Sequence, residues 1–250
     1  MNQIISELLG QRATVRKYSS KAIEKELLEQ LFTLAAQSSN TGNMQTYSVV
    51  ATTDQTIKEA LAPAHFRQPM VQQAPLVLTF CADFNRFSQW CLQRNAEPGY
   101  ANFESFISSA IDAIIFAQTF SVAAEAAGLG ICYLGTTTYN AQEIIEALQL
   151  PNLVVPVTTL TVGYPEADEI PTDRLPLESI VHYEKYSEFT ADKIDAIYRE
   201  KEEMELYRKF VAENAKETLA QVFTDVRYTR KNNEFFSEKF INALKQQGFM

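Results

Sequence analysis

Two arginines and a threonine near the start of the chain alternate in a pattern suited to binding an anion. Arg12, Thr14 and Arg16 stand two residues apart in a polar, β-branched segment. In extended backbone such residues point the same way, and guanidinium groups donate paired, charge-assisted hydrogen bonds to phosphate oxygens. The pattern predicts a phosphate-binding segment. Taken alone, these residues are also typical of a solvated basic turn.

Three further segments carry groups that a flat ligand can use. Residues 38–45 form a loop dense in hydroxyls and amides, and residues 128–136 contain glycines that allow close backbone approach. Residues 173–176 place an arginine in an acidic, proline-rich stretch. Each also has a purely structural interpretation: a capping loop, a helix C-cap with a tight turn, and a surface ion pair. A flat heteroaromatic ring carrying a phosphate is one ligand that accounts for all four segments.

Motifs of other chemistries are missing from the sequence. It contains no P-loop, no GxSxG nucleophile elbow, no HExxH and no EF-hand loop. Gly128 and Gly130 begin like a dinucleotide fingerprint, but Tyr133 stands where the third glycine belongs and a helix precedes them. The two histidines, His65 and His182, are interpreted as ordinary surface or loop residues, and no metal site is expected.

Hydrophobic spacing predicts the elements that position these segments. Two amphipathic helices open the chain, joined by an extended connection at 12–20. Three clear strands are expected, at 47–52, 76–81 and 154–162, and residues 131–134 are expected to form a short strand or an extended turn. A long buried helix at 107–127 ends at Gly128, Asp54 and Asn140 cap short helices, and charged helices follow at 191–217 and 233–247. The expected class is α+β: a small sheet wrapped by helices, with a helical C-terminal extension.

Composition narrows the classes of function. The chain has 250 residues with Lys+Arg 22, Asp+Glu 31 and a net charge of -9, so no broad basic surface for nucleic acid or an anionic membrane is expected. The longest uncharged apolar stretch, 113–124, is too short to span a bilayer. Three cysteines without a CxxC pair indicate reduced thiols, and no secretory signal is recognisable, so a cytoplasmic protein is expected.

The ordered set of motifs resembles the FMN-dependent nitroreductase superfamily. It comprises Arg-x-Thr-x-Arg near the start, an Asn-x-Gln loop before a strand, a GLG with Tyr-x-Gly segment after a long apolar helix, and Arg-Leu-Pro beyond the last strand. Residues 80–86, residues 245–249 and the charged C-terminal region are similar to the branch of oxygen-insensitive NADPH nitroreductases and flavin reductases. The resemblance runs from end to end.

This resemblance implies a nitroreductase-like α+β fold with a small, mixed, mainly antiparallel sheet, in an intertwined homodimer that binds FMN. It also implies an FMN-binding core at 1–185 and a helical extension at 186–250 packed on the core or on the partner subunit. It also implies three differences from relatives: Ala13 replaces a polar or basic residue, Thr136 a glycine, and Thr172 a lysine. The residues that fall on the family's FMN-binding positions are Arg12, Ala13, Thr14, Arg16, Ser39, Thr41, Asn43, Gln45, Gln68, Tyr133, Leu134, Gly135, Thr136 and Arg174.

The implied activity is ping-pong, two-electron transfer from NAD(P)H to flat acceptors such as nitroaromatics, quinones or free flavin, with no catalytic side chain assigned. Arg227, Arg230 and Lys231 are candidates for the extra phosphate of NADPH, and the choice between NADPH and NADH stays open. The alternatives are a dedicated NADPH-FMN reductase, a noncatalytic FMN-binding or storage protein, and a helical dimeric interaction protein without flavin.

Overall fold

The computed structural model describes residues 3–250, in which the chain forms two compact units. The first unit combines Met1–Pro171 with Phe236–Met250, and the second is Thr172–Phe235. The division into an FMN-binding core at 1–185 and an extension at 186–250 stays a prediction, and its boundary lies inside the second unit.

A four-stranded antiparallel sheet organises the first unit, with the strand order β1-β2-β4-β3. The strands are β1 (Tyr47–Thr52), β2 (Leu76–Asp83), β3 (Gly130–Leu134) and β4 (Val154–Gly163). Every residue of β2 is buried, as its continuous apolar run predicts for a strand covered on both faces. The three clear strands are confirmed with small shifts at their ends, the segment at 131–134 is a strand rather than an extended turn, and the α+β class is confirmed.

The long helix α6 (Phe103–Ala126) packs against this sheet. Its Phe116 and Phe120 rings lie 6.1 and 6.3 Å from the ring of Phe80 on β2. The helix begins at Asn102, whose side-chain oxygen accepts from the Ser105 amide at 2.9 Å. It has the length and apolar composition of a membrane-spanning helix, and half of its most apolar stretch is buried within this chain.

The predicted long buried helix is covered on one side only in this single chain. Four isoleucines on its outer side are 37 to 52% exposed, namely Ile107, Ile111, Ile114 and Ile115. The physical reason is geometric: a sheet covers one side of a helix, and α6 is apolar on several sides. The four isoleucines, which we call the isoleucine face, are spaced as neighbours on one surface of the helix.

Shorter helices surround the sheet. Helices α1 (Gln3–Gly10) and α2 (Lys25–Ala35) are the predicted amphipathic pair. Helix α3 (Gln55–Leu61) begins at Asp54, whose carboxylate accepts from the Ile57 amide at 3.0 Å, so that cap is confirmed. Two helices that the spacing does not predict are α4 (Pro69–Gln73) and α5 (Asn85–Gln93).

The predicted cap of helix α7 (Ala141–Leu148) is wrong. Asn140 stands at the N-cap, but its side chain makes no capping hydrogen bond. Its Nδ2 donates to the carbonyl of Ala64 at 2.7 Å, and its Oδ1 accepts from Lys239 Nζ at 2.6 Å. Tertiary partners outcompete the local amide for this buried side chain.

The second unit consists of short helices. They are α8 (Ala191–Glu203), α9 (Glu205–Glu213) and α10 (Leu219–Gln221), followed by a π-helical turn at Val222–Arg227. Helix α11 (Arg230–Gln246) contains residues of both units. The helical stretch predicted at 191–217 is confirmed as two helices, α8 and α9, which are separated at Met204, whose backbone is extended with φ -63° and ψ 136°.

Candidate functional site

Residues 12–16 run beside β3 without regular secondary structure of their own. The Val15 amide donates to the Ile131 carbonyl at 3.0 Å, and the Val15 side chain is buried. This approach requires Gly130, because a Cβ atom there would lie 2.5 Å from Cγ2 of Val15. With Val15 turned inward, alternation leaves Thr14 half-buried and Arg16 exposed.

The two arginines of this segment differ in their partners. Arg12 Nε donates to Glu125 Oε2 at 2.9 Å, near the C-terminal end of α6. Burial raises the pKa of the Glu125 carboxyl, and the guanidinium opposes that shift. Arg16 has no carboxylate partner within the part of the chain that the structure describes. Burial raises the pKa of the Cys132 thiol on β3, and the positive charge of Arg16 acts in the opposite direction and lowers that pKa. Arg16 is therefore the cation that remains available to an anion.

The polar loop at 39–45 is anchored to α6 by a buried carboxylate. The amide of Thr41 donates to both Asp112 oxygens at 3.0 Å, and the Thr41 hydroxyl donates to one of them at 3.1 Å. Asp112 is buried, and sequence reasoning missed this role. The available signal was a charge in the middle of an apolar helix, which is costly to bury without partners.

Beyond Thr41, the loop backbone turns through three left-handed residues. Gly42, Asn43 and Gln45 have φ of 57°, 55° and 53°. Gln45 Nε2 donates to Asn43 Oδ1 at 3.2 Å, and both side chains are exposed, as is Ser39. The loop thus presents amide groups at the surface on a backbone held by α6.

The end of β3 offers backbone beside open space. Tyr133 is held by α6, where its hydroxyl accepts from Ser121 Oγ at 3.1 Å and donates to Gln118 at 3.3 Å. Leu134 is buried, whereas Gly135 is exposed, and a Cβ atom at Gly135 would meet nothing within 4 Å. A flat ligand can therefore approach the chain here.

Thr136 connects this turn to His65. Thr136 Oγ1 lies 2.8 Å from His65 Nδ1, and both residues are buried. The interpretation of His65 as a surface or loop histidine is wrong. Burial lowers the pKa of His65 to about 4, so its imidazole is neutral near pH 7. Its Nε2 has no hydrogen-bond partner among the described residues. Gln68 lies three residues further along the chain and is half-buried, and its backbone amide donates to the His65 carbonyl at 3.1 Å.

The remaining candidates belong to the second unit, and each has neighbours there. Arg174 Nη1 donates to the Thr172 carbonyl, the Thr172 hydroxyl and the Asp173 carbonyl, at 2.7 to 3.0 Å. The guanidinium of Arg227 lies over the Phe210 ring at 4.3 Å. Arg230 Nε is paired with Glu234 at 2.7 Å, while Lys231 is exposed. The Arg230 pair uses part of the positive charge expected for a phosphate of NADPH.

In the first unit, three of the predicted segments and Gln68 are attached to α6, β3 or the turn that follows β3. The 12–16 segment lies along β3, the 39–45 loop is fixed to α6, and the turn at 133–136 contacts His65 next to Gln68. The donor set of guanidinium, hydroxyl and amide groups suits a phosphate and the polar edges of a ring. Gly135 adds backbone with open space beside it. These residues fit FMN. Across residues 3–250, no three His, Cys, Asp or Glu side chains are grouped as a metal site.

Comparison with known proteins agrees with this geometry. The model of the family described as the Nitroreductase family matches residues 9–164. The FMN reductase (NADPH) of Bacillus subtilis (strain 168) is 29% identical over 249 residues, which cover 99% of this chain and 93% of that protein. The oxygen-insensitive NADPH nitroreductase of Salmonella typhimurium (strain LT2) is 33% identical over 186 residues, or 74% of this chain and 75% of that protein.

The solved structures extend the likeness over the whole fold. A crystal structure from Bacteroides fragilis NCTC 9343 is 55% identical, covers 98% of this chain and 99% of that chain, and has a TM-score of 0.96. The structure of NfrA2 from B. megaterium is 28% identical, covers 100% of this chain and 98% of that chain, and has a TM-score of 0.85. Since the family model also matches more than half of the sequence, this chain belongs to the nitroreductase family.

Proposed function

We propose that this protein is an FMN-dependent oxidoreductase that uses NAD(P)H to reduce nitroaromatics, quinones or free flavin. The observation that carries the proposal is the 12–16 segment, fixed along β3 with Arg16 exposed and with no carboxylate partner among residues 3–250. An unpaired guanidinium on an acidic protein of net charge -9 is a specific local binding group for a phosphate.

The side chains bind and orient, while bound FMN supplies the hydride chemistry. Arg12 and Arg16 hold the phosphate with the Thr14 hydroxyl, and Arg174 is a third cation for it. The backbone of 133–136, the 39–45 loop and the Gln68 side chain hold the ring. Donor and acceptor occupy the same open face in turn, so that turnover is ping-pong.

Loss of Arg16 tests the phosphate assignment. Arg16→Ala removes one charge-assisted partner, which costs roughly 1.5 to 3 kcal/mol, and its FMN affinity falls by about one to two decades. Lys17→Ala is the matched control, because Lys17 is the next exposed cation and alternation points it to the other side of the segment. FMN titration followed by flavin fluorescence measures both variants. Wild-type affinity in Arg16→Ala would refute the assignment.

Steady-state kinetics distinguishes the enzyme from its alternatives. A nitro- or quinone-dependent oxidation of NADPH by the FMN-loaded protein supports the proposed activity. Oxidation with free FMN as the sole acceptor indicates a dedicated flavin reductase. Bound FMN without any turnover indicates a storage protein, and the absence of flavin binding indicates an interaction protein.

For the pyridine nucleotide, we assign the extra phosphate of NADPH to Arg227, Arg230 and Lys231. The test compares kcat/KM for NADPH and NADH in the wild type and in the triple variant Arg227→Ala, Arg230→Ala, Lys231→Ala. The NADPH/NADH ratio falls if these residues bind the phosphate. An unchanged ratio places the phosphate elsewhere.

The isoleucine face of α6 supports a homodimer. Its four exposed isoleucines form a continuous apolar surface of the kind that marks an interface. The double variant Ile111→Lys, Ile114→Lys dissociates the dimer, whereas Ile170→Lys, at an 88% exposed isoleucine, leaves it intact. Light scattering measures the mass, and a wild-type mass near 28.3 kDa would exclude the dimer.

The cysteines support a reducing, cytoplasmic location. Cys81, Cys91 and Cys132 are all free and buried. Buried thiols pack as small apolar groups and need no oxidising compartment.

A further inference from the structure

A strained turn presents an aromatic ring next to the residues proposed for FMN. Phe66 and Arg67 are consecutive non-glycine residues in the left-handed region, with φ of 52° and 54°. Such backbone is unfavourable and persists only where the surroundings hold it, and it is concentrated at functional sites. Here the Phe66 amide donates to the Pro63 carbonyl at 3.0 Å, and the Arg67 amide donates to the Ala62 carbonyl at 2.8 Å.

The strained turn exposes Phe66 while two other rings support it. The Phe66 side chain is 54% exposed. Its ring lies 5.9 Å from that of Phe236, at an interplanar angle of 66°, and 6.5 Å from that of Tyr139. Tyr139 and Phe236 stack on each other at 4.5 Å and 8°. We call these three residues the aromatic triad. Because Tyr139 and Phe236 stack face to face on each other, Phe66 has the most ring surface left for a further partner.

The position of the triad links it to electron transfer. His65, the neighbour of Phe66, is bonded to Thr136, and Gln68 lies two residues further on. The Tyr139 amide donates to the Thr136 carbonyl at 3.1 Å. Thr136 and Gln68 are both proposed to contact the FMN ring, so the triad stands at the border of that ring.

We propose that Phe66, supported by Tyr139 and Phe236, stacks against the ring of the electron acceptor and selects flat aromatic acceptors over compact ones. The proposal rests on the proposed function. A pyridine nucleotide is also held through its phosphates and riboses, whereas a small aromatic acceptor offers little except its ring face. Stacking therefore contributes a larger share of the binding free energy for the acceptor than for the pyridine nucleotide.

The chemistry of the step is unchanged by this selection. NADPH gives up a hydride, which carries two electrons, and becomes NADP+. A quinone that receives the hydride and one proton becomes a hydroquinone. Ferricyanide, a compact acceptor without a ring, takes one electron, so two ferricyanide ions are reduced to ferrocyanide for each NADPH and one proton is released.

The test replaces the aromatic face and keeps an apolar side chain. In Phe66→Leu, kcat/KM for nitrobenzene falls roughly 2- to 12-fold, the range expected for one aromatic pair, while kcat/KM for ferricyanide is unchanged. Phe66→Tyr keeps a ring and restores wild-type selectivity. Phe103→Leu is the matched control, because Phe103 is similarly exposed at 49% but lies at the start of α6, and it changes neither value.

Binding is measured independently of turnover. Calorimetric titration of the oxidised, FMN-loaded protein with nitrobenzene, without NADPH, gives a Kd that rises in Phe66→Leu and not in Phe66→Tyr. Equal loss for nitrobenzene and ferricyanide, or no change in either, overturns the inference alone and leaves the proposed function intact. A wild-type, FMN-loaded protein that oxidises neither NADPH nor NADH with nitrobenzene, a quinone, free FMN or ferricyanide overturns both.

Discussion

In the unit that contains the sheet, buried apolar side chains form four clusters, and the largest joins β2, β4 and α6 through rings such as Phe80, Phe116 and Phe120. In Thr172–Phe235, the described residues include only three buried apolar side chains, Ile197, Leu219 and Val222. This second unit contains instead a network of polar side chains joined by hydrogen bonds. Lys201 Nζ donates to Asp173 at 2.7 Å and to Tyr207 at 2.8 Å, and Tyr207 donates to Asp173 at 2.5 Å.

This difference gives the candidate residues of the two units different kinds of support. The segments proposed for the FMN ring are fixed on a packed core, whose interactions open only at high free energy. Arg174, proposed for the phosphate, is held by hydrogen bonds to the Thr172 hydroxyl and to the carbonyls of Thr172 and Asp173. Positioning of the ring thus relies on packing, and positioning of this cation relies on hydrogen bonds.

The largest expected effect is loss of the core. Phe80→Ala empties a fully buried site between Phe116 and Phe120 on a central strand and lowers the free energy of unfolding by about 3 to 5 kcal/mol. Denaturant titration followed by circular dichroism measures the change. A loss below about 1 kcal/mol, typical of a surface substitution, would show that the packed core does not support this unit.

The next effect is a dependence on pH that belongs to the first unit. The pKa of His65 is about 4 in the folded chain and near 6.5 when unfolded. The unfolded state therefore binds more protons between these values, so stability is complete above pH 6.5 and falls as the pH drops toward 4. The total loss is about 3 kcal/mol.

Denaturation at several pH values checks this, with His65→Gln as the comparison. The variant removes the titrating group, so the slope of unfolding free energy against pH between pH 6.5 and 4 becomes shallower. An equal slope in His65→Gln and in the wild type would contradict the assignment of this pH dependence to His65.

The second unit responds at lower pH. Burial raises the pKa of Asp173, but bonds from Lys201 and Tyr207 outweigh it and lower the pKa below 3.8, so the stability from Asp173 is lost only as the pH falls below that value.

The smallest effect concerns the polar network. Lys201→Met removes a charged donor from two acceptors and destabilises the second unit by about 1 to 2 kcal/mol, since the pair is partly solvated. Hydrogen exchange read by mass spectrometry detects faster exchange in α8 and α9. Lys209→Met is the matched control: its exposed pair with Glu213 on α9 contributes at most about 0.5 kcal/mol. Equal exchange in the two variants would mean that the network contributes no more than a surface pair.

The sequence by itself determined the class, the family and most elements. Alternating and continuous apolar runs predict the strands, because side-chain period is a local property that burial selects. The ordered motifs identify the family, because each motif is a short stretch of neighbouring residues. The same local patterns fail at Met204, where no proline or glycine announces the break between α8 and α9.

Only the tertiary structure decided which distant groups meet. Asp112 binds Thr41 and Thr136 binds His65 across 71 residues in each case, and no periodicity records such a pairing. The backbone at Phe66 is left-handed, a conformation that is locally unfavourable for a residue with a bulky side chain, and tertiary contacts hold it there. Local propensities are summed over neighbours in sequence, whereas burial, pKa and hydrogen bonding depend on neighbours in space, and the fold alone brings those together.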